Sequence, residues 1–161
     1  MKVQLKVSSV LFIVGCFFFC GEVAIGNSSD LTQNEKVVAA TILAEARGEG
    51  FDGMQAVACV IKQRTIERKK SPAKICLQKY QFSCWNDGMT ADKLYANVTK
   101  KTPAKIVNFA ANLAKLLVSG KDLDRSFVKC ANHYCTLETN PQWAKNIKPV
   151  VVIKNHKFYR L

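Results

Sequence analysis

Residues 32–50 read TQNEKVVAATILAEARGEG, and this stretch decides what kind of fold the chain adopts. Thr32 followed three positions later by Glu35 is a capping-box pair, in which each side chain satisfies a backbone N–H at the start of a helix. Val38, Ile42 and Glu45 follow at spacings of four and three, so they share one helical face. Gly48 supplies the stop. The stretch therefore predicts a helix whose inward stripe ends in a carboxylate, with Gly48, Gly50 and Gly53 keeping the next connection tight.

Working outward, a second helix is expected from Asp52 to about Arg64, with Met54, Val57, Ala58 and Ile61 as its apolar stripe. Ser71-Pro72 predicts a short helix reaching about Gln78, because proline suits the first helical position. Gln81 to Met89 reads as a loop turned by Asn86-Asp87-Gly88. A helix from about Thr90 to Val98 follows. Thr102-Pro103 then opens the longest helix, with Ile106, Phe109, Leu113, Leu116 and Leu117 at core spacing and Gly120 as its end. Beyond it the pattern turns β-rich, over Ser126 to Cys135 and Pro149 to Tyr159. Val150 to Ile153 is the first strand of an expected hairpin turned by Asn155-His156. The expected class is α+β, a mainly helical core with a small C-terminal antiparallel β part.

The first 26 residues read as an address. Lys2 and Lys6 precede the apolar run Val10 to Cys20, and Ala24-Ile25-Gly26 offers small residues to a signal peptidase. The expected division is a secretory signal over 1–26 and one catalytic domain over 27–161. Ile13-Val14-Gly15-Cys16 also resembles a lipobox, but Phe17, Phe18 and Phe19 follow where a lipoprotein turns polar, so Cys16 lipidation is the weaker alternative. Removing the leader takes two lysines and one glutamate from the +12 chain, so 22 basic and 11 acidic residues stay with the working domain. That excess suits an anionic partner such as a bacterial envelope polymer. Export, with lysines scattered over the chain, argues against nucleic acid.

Glu45-Ala46-Arg47-Gly48-Glu49 is the stretch most suggestive of chemistry. A carboxylate in the last turn of an apolar helix is partly desolvated and sits at the negative end of the dipole. Both effects raise its pKa, as a general acid working near neutral pH requires.

Together with Gly53-Met54-Gln55-Ala56-Val57-Ala58, Val60-Ile61-Lys62-Gln63-Arg64, Gln81-Phe82-Ser83, His133-Tyr134, Pro141-Gln142-Trp143-Ala144 and His156-Lys157-Phe158-Tyr159, this stretch resembles the SleB-like cell wall hydrolase family. The resemblance runs from about Val37 to Tyr159. It implies a fold related to the lysozyme and lytic transglycosylase core, peptidoglycan as substrate, and Glu45 as the catalytic acid. Phe82 and Tyr134, which lie inside these motifs, are the expected sugar-contacting aromatics, and Ser83 and His133 are candidates to bond N-acetyl substituents or orient Glu45. Trp85, Trp143 and Tyr159 are further aromatics able to line a groove.

A lytic transglycosylase manages with one glutamate acting first as acid and then as base, whereas hydrolysis usually enlists a second carboxylate. Glu49, which should point elsewhere, and turn residue Asp87 are the weak candidates for that second group, so the reading leans towards transglycosylation. No cofactor, metal or stable protein partner is expected. Two classes compete: a zinc amidase, for which only His133 and His156 are available with cysteines or carboxylates to complete the set, and a non-catalytic cationic wall-binding protein. The mature chain keeps five cysteines, an odd number. Cys59 is expected free in a core helix. Cys130 is expected bridged to Cys135, or both bridged to Cys76 and Cys84.

Overall fold

A computed structural model describes residues 30–161. The leader read over 1–26 lies outside the described residues. Helix α1 (Gln33–Ala46) opens with the expected capping box: the Thr32 hydroxyl accepts from the Glu35 N–H while the Glu35 carboxylate accepts from the Thr32 N–H. Residues Val37 to Leu43 are all buried, so α1 is covered around its whole circumference. The cover comes from α2 (Gly50–Arg68), α3 (Pro72–Cys76), α4 (Ala91–Thr99) and α5 (Ala104–Val118), each of which packs on α1. A helix apolar all round belongs at the centre of a core, and this one is the axle of the helical part.

The other helices follow from their local chemistry. Helix α2 starts at Gly50, two residues earlier than expected, because a 3-10 turn over Arg47–Glu49 feeds directly into it. Two glycines make that junction possible. Gly50 takes φ +69°, and a Cβ on Gly53 would lie 2.2 Å from the Cβ of Glu49. Ser71 caps α3 with Pro72 inside its first turn, and Thr90 caps α4. Thr102 does not cap α5 as expected: Pro103 holds that position, and the Thr102 hydroxyl donates back to the Val98 carbonyl.

The β part is smaller than its sequence pattern suggested. Of the stretch 126–135, Ser126–Val128 forms a 3-10 turn, and only His133 onward is strand. Strands β1 (His133–Thr136), β2 (Val151–Ile153) and β3 (His156–Tyr159) form an antiparallel sheet in the order β1-β3-β2. The hairpin turn falls at Lys154-Asn155, one residue earlier than expected, with Lys154 at φ +51°. His156 thereby joins β3 and is buried. A cluster of Ala56, Cys59, Val60, Val128, Ala131 and Phe158 welds this sheet to the outer face of α2. The result is the expected α+β class.

All five described cysteines are free thiols, so the bridges expected at Cys130, Cys135, Cys76 and Cys84 are not formed. Cys76 is sealed in the helical core, whereas Cys135 lies on β1, across the molecule's two parts. Cys130 sits in a left-handed turn before β1, and the strand's extended rise of about 3.3 Å per residue carries Cys135 away from it. Burial pushes the Cys59, Cys76 and Cys84 thiols up to about 12. They are poor nucleophiles there.

Candidate active site

Glu45 sits in the last turn of α1, one step beyond the core-facing residues Val38 and Ile42. Its carboxylate emerges at the seam between the helices and the sheet, where it is half-buried. From the far side of that seam, the Tyr134 hydroxyl on β1 donates a 2.7 Å hydrogen bond to Glu45 Oε2. Desolvation raises the Glu45 pKa, and the Tyr134 hydrogen bond and the Arg64 charge work against it. Burial wins, so the carboxyl holds its proton to higher pH than an exposed glutamate. Tyr134 itself is pushed well above the ordinary tyrosine value by burial and by the neighbouring Glu45 charge, so it stays a phenol and remains a donor.

Tyr134 is fixed by its own strand and by aromatic neighbours. It pairs with Phe158 across the β1–β3 ladder, and its ring meets His156 edge-on at 5.2 Å. Beside it opens a pocket of about 330 Å³ lined by Arg64, Tyr80, Gln81, His133, Tyr134 and Trp143. Trp143 stands over His133 with ring centres 5.2 Å apart, and both Trp143 and Tyr80 keep much of their surface open to solvent. Flat, exposed rings flanking a polar floor are what a sugar-binding groove requires. Burial together with the Arg64 and Arg68 charges lowers the His133 pKa, and His133 Nδ1 lies 2.9 Å from Asn132 Oδ1. A neutral imidazole is therefore the form present near pH 7.

The structure thus brings Glu45, Tyr134 and His133 to one seam, and it treats the other expected contacts differently. Phe82 is 2% exposed and belongs to the helical core, under the Arg64 guanidinium at 5.5 Å, so it has no open face for a sugar. The exposed rings that line the pocket are Trp143 and Tyr80 instead. Ser83 is exposed at the start of the 3-10 turn Ser83–Trp85. Trp85 is pinned inward, its Nε1 donating to Thr41 Oγ1 at 3.0 Å, and Tyr159 is buried. Glu49 accepts the Asn155 N–H at 2.9 Å and so clasps the hairpin turn; it does point elsewhere. Asp87 is exposed on its loop.

Arg64 is the residue that sequence reasoning left without a role. Its signal was present: Val57, Ile61 and Arg64 share the four-then-three spacing of the α2 core stripe, which puts a cation where an apolar residue belongs. Among the described residues, no group of three or more His, Cys, Asp or Glu is arranged to hold a metal ion.

Fold and seam together define an α+β domain that presents a partly buried carboxyl of raised pKa beside an aromatic-flanked groove. A model of the family Cell Wall Hydrolase matches residues 48–159, well over half of the chain. The chain belongs to that family, a family of peptidoglycan-acting hydrolases, and the resemblance to SleB-like enzymes is borne out. The matched segment takes in Arg64, the pocket residues and the whole sheet, and it begins three residues after Glu45. No curated protein and no solved structure matches.

Proposed function

We propose that this chain is exported under the leader at 1–26 and cleaves the glycan strand of peptidoglycan, with Glu45 as general acid and then base. The observation that carries the reading is the Tyr134–Glu45 hydrogen bond at the mouth of the groove. It joins a desolvated carboxyl of raised pKa to a fixed phenol that can stabilise the carboxylate once the proton has gone. Glu45 gives its proton to the glycosidic oxygen as the bond from the muramic C1 breaks. The muramic 6-hydroxyl then closes on C1 and returns its proton to Glu45. This yields a 1,6-anhydro end without consuming water, the course of a lytic transglycosylase.

One arrangement favours that course over a muramidase. Glu49 is engaged with the hairpin backbone and Asp87 stands on an exposed loop, so neither is placed as the second carboxylate that hydrolysis usually enlists. Mass spectrometry of fragments released from purified peptidoglycan tests the proposal. Anhydromuramic ends that disappear with Glu45→Gln are expected. Reducing ends would establish a muramidase, free stem peptides an amidase, and no release by the wild type a binding protein.

A further inference from the structure

Arg64 is 4% exposed, yet its charge is met by no ion pair among the described residues. Its single hydrogen bond runs from Nε to the Asn132 carbonyl at 2.6 Å, and Nη1 is buried without a partner. The two nearby carboxylates are committed elsewhere. Glu45 takes the Tyr134 hydroxyl, and Glu67 takes Gln63 Nε2 and Asn132 Nδ2. The neighbouring Arg68, by contrast, is supplied with acceptors, Gln78 Oε1 at 2.7 Å and Gln81 Oε1 at 3.1 Å. A buried cation with spare donors is costly in a folded protein unless something else completes it. Arg64 lines the 330 Å³ pocket, so an anion entering there meets its positive charge.

We propose that Arg64 and this pocket form a subsite for a carboxylate carried by the muramic acid unit of the substrate. The identity of the ligand rests on the function proposed above; the site itself rests on the unfilled guanidinium. A planar guanidinium pairs with a carboxylate through parallel hydrogen bonds, which a lysine cannot reproduce. Glu45 and Glu67 lie within range of this charge, and against them stand features that suit an anion. Arg68 adds a second positive charge, His133 is neutral, and Trp143 and Tyr80 flank the opening as rings for the attached sugar. Tyr134 lines the same pocket and holds Glu45, so a carboxylate docked on Arg64 would set the register of the glycan against the acid. Two sources supply this chemistry in peptidoglycan: the lactyl carboxylate of bare muramic acid and the free carboxylates of a stem peptide.

Steady-state cleavage by the wild type of four glycan preparations decides between them. These are strands bearing stem peptides and strands stripped of peptide, each assayed both unblocked and with its carboxylates blocked as amides. At least one unblocked preparation is expected to show a KM about tenfold or more below its blocked counterpart, and the one that does so names the source. Arg64→Gln should erase the difference and Arg64→Lys should keep only part of it. Equal KM for blocked and unblocked strands overturns the subsite while leaving the cleavage reading standing. If the wild type releases nothing from any preparation, the cleavage reading falls. The subsite is then judged by calorimetry with N-acetylmuramic acid and its methyl ester: acid-selective binding supports it, and equal or absent binding overturns it. The wild-type comparisons need no variant to fold.

Discussion

Glu45 and Glu49 stand one helical turn apart in sequence and serve opposite sides of the same junction. Glu45 ends a fully enclosed helix and turns towards the groove, where it meets a side chain 89 residues away. Glu49 closes a 3-10 turn, packs over Gly53 and takes a backbone N–H of the hairpin. The two differ in what surrounds them, not in chemistry. An enclosing wall makes a carboxylate a reservoir for a proton, whereas a backbone N–H at the surface makes it a clasp.

The largest separation between them should be in catalysis. Glu45→Gln is expected to lower wall-degrading activity by about 10²–10⁴-fold or more, as loss of a general acid does. Glu49→Gln should stay within a few-fold of wild type on the same turbidity assay. Equal losses would break the comparison.

Tyr134→Phe sharpens it. Removing the phenol takes away one influence that lowers the Glu45 pKa, so the alkaline limb of the pH–rate profile should move to higher pH. The maximum rate should fall about tenfold, the worth of one charge-assisted hydrogen bond. A downward shift of the limb would show that Tyr134 does not act on Glu45.

A smaller effect falls on the clasp. Glu49→Ala should cost about 1 kcal/mol in denaturant unfolding, the usual net worth of one such hydrogen bond, while Glu45→Gln should not destabilise at neutral pH.

The smallest effect has the most telling sign. Because burial raises the Glu45 pKa in the native fold, its favourable share of stability is present in full below about pH 4.5, the ordinary value. That share is lost as pH rises through the higher native value. Glu45→Gln never takes on the buried charge, so its Tm should exceed wild type at pH 7–8, with the advantage vanishing as pH falls to about 4. A constant difference across that range would show that Glu45 is not desolvated.

What was legible in the sequence was what a short window contains. Thr32 with Glu35, Ser71 with Pro72, and Thr90 each announce a helix start through chemistry within three or four residues. The Val38, Ile42 and Glu45 stripe placed the Glu45 carboxyl at the inner end of one helical face. The misses arose where the deciding contact is distant. Phe82 looked like a groove aromatic until Arg64, eighteen positions earlier in the chain, was seen to cover it. Arg64 itself has meaning only beside Asn132, 68 residues on. Ser126 to Ala131 carries a strand-like pattern, yet it bends into a turn because Val128 and Ala131 must reach the outer face of α2. Spacing reports which residues share a face and is silent on what that face will meet.

The strand order β1-β3-β2 also sets a schedule for assembly. The middle strand is the one made last. As the chain leaves the ribosome, α1 to α5 can close around their core while Tyr134 still lacks the strand against which β1 pairs. The acid of Glu45 consequently waits without its phenol until residues 156–159 arrive. A site timed this way is completed only when the last of the three strands pairs.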